Sequence, residues 1–355
     1  MADRHGDGHR VRRRRGGALL RALAGLLAAA AVLGGVAVWQ NSYALREETV
    51  SLRHAGRTLD GVLALPEEGE GPFGLVVFVH GDGPVDATHE TFYRPIWESF
   101  ARAGYASLSF SKPGVGGSGG DWLEQSMADR AEETLAAVAW ARGRPEIDRD
   151  RIGLWGASQA GWVLPKVAAE DPSLRFAIAV SPAVNWQRQG RYNLLAELRQ
   201  RNAPKEEVSA ALRRRESTLE LLRRGASHEE YRAELGDAAD MTAARWGFAA
   251  RNFTADATND LRAVHGVPVL LVLAGHDVHV DVAETEAAYR SLLDPSLLRV
   301  AHYPGATHAL LDEAVASWEP RLTATALLAP RRIFAPDFLA DQARFVEQLP
   351  GERAA

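Results

Sequence analysis

Short apolar runs alternate with longer stretches of helical periodicity from about residue 47 to the C-terminal end. Continuous apolar runs of this length are typical of strands that are buried on both faces of a sheet. Amphipathic stretches between such runs predict helices that cover those faces. The pattern therefore predicts an α/β fold, with a mostly parallel sheet and buried strands at residues 75–80, 106–110, 151–156, 176–181, 267–275 and 297–303.

The first polar and apolar alternation after residue 47 differs from the later runs. Residues 48–54 and 57–66 flank a turn at Ala55 and Gly56, which predicts an antiparallel hairpin at one edge of the sheet. Further along, Ser126 precedes Asp129 by three residues at the start of an Ala-rich stretch. This spacing is typical of a capping box and predicts a helix start there.

The segment between residues 183 and 262 interrupts the alternation. It is more highly charged than the rest of the chain, and its leucines recur at helical spacing. We expect a helical cap over residues 183–262, inserted into a core formed by residues 41–182 and 263–355. Its aromatic residues either anchor this insertion on the core or line a substrate channel, and the candidates for the channel are Trp186, Trp246 and Phe248.

The N-terminal 40 residues have a different character. Seven arginines and two aspartates occupy residues 1–21, and residues 22–39 carry no charge. A helix of that length rises about 27 Å, close to the thickness of the bilayer hydrocarbon. Residues 22–39 are therefore predicted to contact the membrane as an uncleaved anchor, with the C-terminal body on the extracytoplasmic side. A cleaved signal ending near Ala37, which would give a secreted protein, and a soluble amphipathic start are the alternatives.

Charge and cysteine content exclude several classes of protein. The 355 residues carry a net charge of −5, of which residues 1–21 contribute +5 and the remainder −10. An acidic body of this kind is not expected to bind nucleic acid. The chain has no cysteine, so a disulfide, a thiol nucleophile and a cysteine metal site are all excluded.

The stretch GASQAGW places Ser158 between small residues where a predicted strand meets a predicted helix. Small neighbours allow a sharp turn that projects the hydroxyl outward, near the positive end of the helix dipole. This pattern predicts a nucleophile elbow. The alternative is a serine that only caps the helix.

A serine nucleophile needs a base, and the base needs an acid to orient it. Of the eleven histidines, His308 lies in the loop after the last predicted strand. Asp277 follows the preceding strand, 31 residues earlier, and Asp281 is the alternative acid. In an open parallel sheet these loops meet at one edge, where ligands bind.

Acyl transfer also requires N–H groups that stabilise the negative charge on the carbonyl oxygen. One is expected from the backbone of Gln159, the residue after the nucleophile. The other is expected from the HGDGP loop at residues 80–84, where the N–H of Asp82 is favoured and that of Gly83 is the alternative.

These motifs together resemble the α/β-hydrolase superfamily over about residues 47–350. More closely, HGDGP, KPGVGGSGGDW, GASQAGWVLP, GHDVHV and PGATHAL resemble the motifs of bacterial serine esterases that carry an HGSGP oxyanion loop, a GxSQGGW elbow and a helical lid. The resemblance implies Ser158, Asp277 and His308 as the catalytic triad. Two positions depart from the pattern, since Asp82 stands where the group has Ser and Ala160 where it has Gly. We expect Asp82 to point away or to pair with Lys112.

The resemblance implies a carboxylester hydrolase acting on a small-molecule ester, with no metal and no organic cofactor. A peptidase of the prolyl-peptidase kind is the first alternative, because it shares the fold and the triad. A membrane-tethered binding protein without catalytic activity is the second. The sequence does not indicate the natural substrate or the oligomeric state.

Overall fold

The computed structural model describes residues 8–349, and for residues 8–22 it describes the backbone only. Its eight strands form a single sheet in the order β1-β2-β4-β3-β5-β6-β7-β8. The β1–β2 and β2–β4 pairs are antiparallel, and all other pairs are parallel. The predicted sheet and edge hairpin are confirmed. The strands are β1 Leu45–His54, β2 Arg57–Pro66, β3 Phe73–Val79, β4 Tyr105–Phe110, β5 Ile147–Ala157, β6 Ala177–Val180, β7 Val269–His276 and β8 Leu298–Thr307.

The helices lie between these strands and at both ends of the sheet. Ser126 and Asp129 form the predicted capping box at the start of the third helix. Two helices after β8, absent from the sequence prediction, precede the last helix. In chain order the helices are α1 Gly8–Gln40, α2 Arg94–Arg102, α3 Met127–Arg142, α4 Leu164–Glu170, α5 Trp186–Gln200, α6 Lys205–Arg223, α7 His228–Leu235, α8 Ala243–Asn252, α9 Thr258–Ala263, α10 Val282–Leu292, α11 Glu313–Ala316, α12 Glu319–Leu328 and α13 Phe338–Glu347.

The core has two apolar layers, one on each face of the sheet. Strand β3 shows the division, because Leu75, Val77 and Val79 belong to one layer while Val76 and Phe78 belong to the other. Helices α3, α4 and α10 contribute to the first layer, and α2 and α13 contribute to the second. Every residue of β3 is buried, which explains why the strand reads as a continuous apolar run.

The segment between β6 and β7 consists of five helices, α5 to α9. Helix α9 packs on α4 and α10 and so belongs to the core. Helices α6, α7 and α8 share a small apolar cluster of their own, formed by Leu219, Leu221, Leu222, Ala226, Tyr231, Trp246 and Ala249. The insertion is therefore stabilised partly by its own interior.

Helix α1 carries the exposed apolar segment of the N-terminal region. Its segment Leu23–Gln40 has a mean hydropathy of 1.8 and none of it is buried, so by length and composition it could cross a membrane. The body holds the end of this helix through two contacts. Asn41 donates to the Leu327 carbonyl at 2.8 Å, and Arg331 donates to the Gln40 carbonyl at 2.7 Å.

Strands β7 and β8 approach closely at Gly275, next to a register shift between Ala274 and His276. A Cβ at Gly275 would lie 2.3 Å from the Pro304 carbonyl oxygen. We expect Gly275→Ala to lower the free energy of unfolding by about 1–3 kcal/mol, because backbone rather than a flexible side chain must move. Urea titration measures this change.

Gly305→Ala on β8 is the matched control, since a Cβ there meets nothing within 4 Å. Equal stability of the Gly275→Ala protein and this control would contradict the close-contact argument.

Candidate active site

Ser158 occupies a strained turn at the end of β5. Its φ is +55°, in the left-handed region that non-glycine residues rarely adopt. A 3-10 turn over Ser158–Trp162 precedes α4, where the sequence had predicted a helix without interruption. No side chain caps either element, so the interpretation of Ser158 as a helix cap is wrong. Strain of this kind costs roughly 1–3 kcal/mol and is typical of functional sites.

The elbow leaves no space for larger residues. A Cβ at Gly161 would lie 2.3 Å from the carbonyl oxygen of Ala183. A Cβ at Gly156 would lie 2.7 Å from the Cβ of Ala160. Close backbone contact on both sides of Ser158 therefore fixes the turn.

His308 and Asp277 meet in the loops after β8 and β7. The Nδ1 of His308 lies 2.7 Å from Oδ2 of Asp277, whose side chain is only 1% exposed. The other carboxylate oxygen accepts from the backbone N–H groups of His279 and Val280, both at 2.8 Å. Three hydrogen bonds fix the carboxylate of Asp277. Because a carboxylate accepts and does not donate, its bond with His308 places the proton of the imidazole on Nδ1.

Asp281, the alternative acid, has a different role. Its carboxylate caps α10 by accepting from the N–H groups of Ala283 and Glu284, each at 3.1 Å. The structure therefore places Asp277, and not Asp281, against His308.

Two buried cations hold the loop after β3 through its carbonyl groups. Arg130 donates to the carbonyl of His80 at 2.5 Å, and Lys112 donates to that of Gly81 at 2.5 Å. In a trans peptide the N–H points opposite to the C=O. The bond from Lys112 therefore directs the N–H of Asp82 to the opposite side. Burial, followed by the charge of Arg130, lowers the pKa of Lys112 well below its ordinary value.

The side chains of Gln159 and Asp82 are joined. Arg130 donates to Oε1 of Gln159 at 2.6 Å, and Nε2 of Gln159 donates to Asp82 at 2.9 Å. Arg245 of α8 donates to both oxygens of Asp82, at 3.0 and 2.7 Å. The partner of Asp82 is thus Arg245, whereas the sequence had suggested Lys112. Burial raises the pKa of Asp82, but the hydrogen bonds and charge of Arg245, the charge of Lys112 and a bond from the N–H of Gly83 together lower it.

A cavity of about 520 Å³ brings these groups together. Ser158, Gln159, Asp82 and His308 line it. Gly81 lies so close to the elbow that a Cβ there would be 3.5 Å from the Cβ of Ser158. The apolar part of the lining is largely aromatic, and it consists of Phe92, Tyr93, Ile96, Trp155, Ala157, Trp162, Val180, Ala183, Trp186, Ala309 and Phe338.

The three aromatic residues expected to contact substrate have different surroundings in the structure. Trp186 lines the cavity and stacks on Trp162 at 5.3 Å. Trp246 instead stacks on Tyr231 inside the insertion and donates to the Ala226 carbonyl at 2.9 Å. Phe248 is fully buried against Trp122, with ring centroids 5.6 Å apart, outside the cavity lining. Of these three residues, Trp186 alone lines the cavity.

Sequence reasoning missed the two arginines of this network. Arg130 lies in the interior of α3 and is 6% exposed, and a buried arginine in a helical pattern cannot be told from a solvated one. Arg245 lies 163 residues from Asp82. No local pattern in the sequence connects Arg245 with Asp82.

A family model described as "Serine aminopeptidase, S33", within the α/β hydrolases, matches residues 70–314. The match covers more than half of the chain and includes every strand from β3 to β8. The chain belongs to this family. The likeness to α/β hydrolases expected from the sequence is confirmed.

Similar proteins support the fold more than a particular activity. The uncharacterized 31.7 kDa protein of the traX-finO intergenic region of Escherichia coli is 32% identical over 81 residues, 23% of this chain and 28% of that protein. Esterase FrsA of Pectobacterium atrosepticum is 28% identical over 144 residues, 40% of this chain and 33% of FrsA. The chain thus aligns with about a third or less of the length of these relatives.

The crystal structure of the Pyrococcus furiosus esterase Pf2001 superposes with a TM-score of 0.55. The two proteins are 16% identical, and the alignment covers 86% of this chain and 92% of that one. At this identity the likeness shows the α/β-hydrolase fold alone.

The different positions of Trp186 and Trp246 predict different consequences of substitution. We expect Trp186→Ala to change the ratio of kcat/KM between short and long acyl esters, because one methylene in a fitted apolar pocket changes this ratio roughly 10-fold or more. Trp246→Ala is expected to leave the ratio unchanged and to lower the free energy of unfolding by about 3–5 kcal/mol. If Trp246→Ala changes the ratio of kcat/KM and Trp186→Ala does not, then Trp246 and not Trp186 contacts the substrate.

Proposed function

We propose that this α/β hydrolase cleaves carboxylic esters through an acyl-enzyme on Ser158, with His308 as the base and Asp277 as the orienting acid. The observation that carries the proposal is the 2.7 Å bond between His308 and Asp277, beside a strained serine that opens on the same cavity. Acid, base and nucleophile come from three different loops. Acid and base are hydrogen-bonded to each other, and the serine lines the same cavity as the base, an arrangement that a structural role alone does not require.

The first half of the reaction forms the acyl-enzyme. Nε2 of His308 takes the proton of Ser158 as its oxygen attacks the ester carbonyl, and Asp277 stabilises the resulting imidazolium. The tetrahedral oxyanion accepts hydrogen bonds from the N–H groups of Gln159 and Asp82, with Gly83 as the alternative to Asp82. His308 then protonates the leaving alcohol, and the C–O bond breaks.

The second half returns the enzyme to its starting state. His308 removes a proton from water, which attacks the acyl carbonyl through a second oxyanion in the same position. Collapse of this intermediate releases the carboxylic acid and returns the proton to Ser158.

The charge of the cavity favours an ester over a peptide with a free amino terminus. An aminopeptidase needs a carboxylate that binds the substrate ammonium group. Among the described residues that line the cavity, Asp82 carries the one carboxylate, and Arg245 already binds both of its oxygens. The description of the family as a serine aminopeptidase nevertheless makes peptide cleavage the second candidate. Parallel assays of acyl esters and aminoacyl anilides distinguish the two candidates.

The insertion between β6 and β7 is proposed as a lid. Helix α5 contributes Trp186, Gln189 and Asn193 to the cavity lining, and α8 contributes Arg245. A helical segment in this position limits substrate size and excludes water from the acyl-enzyme. The boundaries 183–262 remain a proposal, since α9 packs with the core helices.

Substitution of the triad tests the mechanism. Ser158→Ala and His308→Ala should each lower kcat on a neutral aryl ester by on the order of 10⁶, because the residues act as a unit. Labelling by a fluorophosphonate should disappear in Ser158→Ala. Activity of that variant within tenfold of the parent would disprove the mechanism, and a protein that never labels would favour a binding role without catalysis.

The choice of acid is tested separately. Asp277→Asn should lower kcat by about 10⁴, because the amide favours the wrong tautomer of His308. Asp281→Asn is the matched control, since Asp281 caps α10 and asparagine caps a helix about as well, so stability and kcat should both stay close to the parental values. A larger loss of kcat in Asp281→Asn than in Asp277→Asn would identify Asp281 as the acid.

We propose that Leu23–Gln40 anchors the protein in a membrane, with the hydrolase on the extracytoplasmic side. The exposed apolar side chains support this position, since Val38 and Trp39 are 72% and 71% exposed at the end of α1. Nearby on α12, Leu327 is 57% exposed. Tryptophan at the end of an apolar helix is typical of a membrane interface.

Fractionation tests the anchor. The full-length protein should remain with membranes after extraction with high salt and with alkali, because apolar insertion does not depend on charge. Recovery of mature protein that begins near Val38 would show a cleaved signal and a secreted enzyme instead.

A further inference from the structure

Asp82 combines two features that oppose each other in the proposed mechanism. Its backbone N–H is the favoured second donor to the oxyanion, and its side chain is a carboxylate. A negative charge beside a developing negative charge raises the energy of the transition state. The loop can work in this form only if another group neutralises the carboxylate.

Arg245 supplies that charge from the insertion. Its two terminal nitrogens bind the two oxygens of Asp82, at 3.0 and 2.7 Å. A bidentate pair of this kind fixes orientation as well as charge. Arg245 is itself held in place, because its guanidinium lies 4.9 Å from the ring centroid of Phe248 and 5.8 Å from that of Trp122.

Hydrogen bonds connect the pair of Asp82 and Arg245 to the buried part of the site. Asp82 also accepts from the side chain of Gln159, which in turn accepts from the buried Arg130. The two residues expected to donate to the oxyanion are thereby joined through their side chains. An isolated surface ion pair stabilises little, but this one ends a chain of bonds that begins in the core.

We propose that Arg245 is a positioning residue of the active site, which neutralises Asp82 and holds the oxyanion loop against the elbow. The insertion then completes the oxyanion hole in addition to covering the cavity. This inference rests on the proposed ester hydrolysis at Ser158 and deepens it. It also gives a role to Asp82, which stands where the resembling esterases have serine.

A double-mutant cycle tests the proposal in the full-length protein, with kcat and KM measured on a neutral aryl ester. Arg245→Met keeps much of the apolar contact with Phe248 and removes the charge. In the parent we expect it to lower kcat by about 10- to 100-fold and to change KM by less than about threefold. In the Asp82→Asn background, where no negative charge needs neutralising, the same change should lower kcat by less than about threefold.

Arg251→Met is the matched control. Arg251 lies on the same helix and donates to the Leu123 carbonyl at 3.2 Å. This variant should retain the parental kcat, and thermal melting of all variants shows whether a loss of kcat follows a loss of folding.

The outcomes separate this inference from the proposed function. If Ser158→Ala abolishes ester hydrolysis but Arg245→Met retains the parental kcat, the positioning role is wrong and the proposed function stands. Equal losses from Arg245→Met in both backgrounds would also overturn it, because the loss would then be independent of the Asp82 charge. Hydrolysis that does not depend on Ser158 would overturn both.

Discussion

Parallel strand pairing is the constraint on which the site depends. Strands β4, β3, β5, β6, β7 and β8 all run in one direction, so their carboxyl ends lie at one edge of the sheet. The loops after five of these strands carry Asp82, Lys112, Ser158, Asp277 and His308. These residues are far apart in the chain. The pairing of the strands is sufficient to bring their loops to the same edge of the sheet.

The geometry at that edge is maintained against unfavourable local energies. Ser158 has a strained backbone, and Arg130 and Lys112 are charged groups that are 6% and 3% exposed. Burial of such cations is costly unless they are fully hydrogen-bonded. Both donate to carbonyl groups of the loop at residues 80–81. These bonds offset part of the cost of burying the two groups, and the same bonds fix the loop.

Local patterns were sufficient to predict the sheet, the edge hairpin, the elbow and the order of the loops. They were sufficient because strands buried on both faces are continuous apolar runs and because each loop follows its strand directly. The partner of Asp82 could not be predicted, since Arg245 lies on a helix whose packing depends on the whole insertion. Trp246 and Phe248 were grouped with Trp186 for the same reason. An aromatic side chain near the end of an insertion gives no sign of whether it meets the cavity or the insertion's own interior.

The two departures from the esterase pattern have different physical consequences. Ala160 adds a methyl group that is fully buried, and its Cβ occupies the place that a side chain at position 156 would need. The effect of Ala160 is steric, and the methyl group fits because position 156 of the elbow is a glycine. Asp82 adds a charge, and its effect is electrostatic. Arg245 of α8 binds both oxygens of this carboxylate, while Tyr192 and Gln189 of α5 donate to the carbonyl groups of Asp277 and His279. The insertion therefore contacts both the loop that carries Asp82 and the loop that carries Asp277, so that its position and the geometry of the proposed catalytic groups are physically coupled.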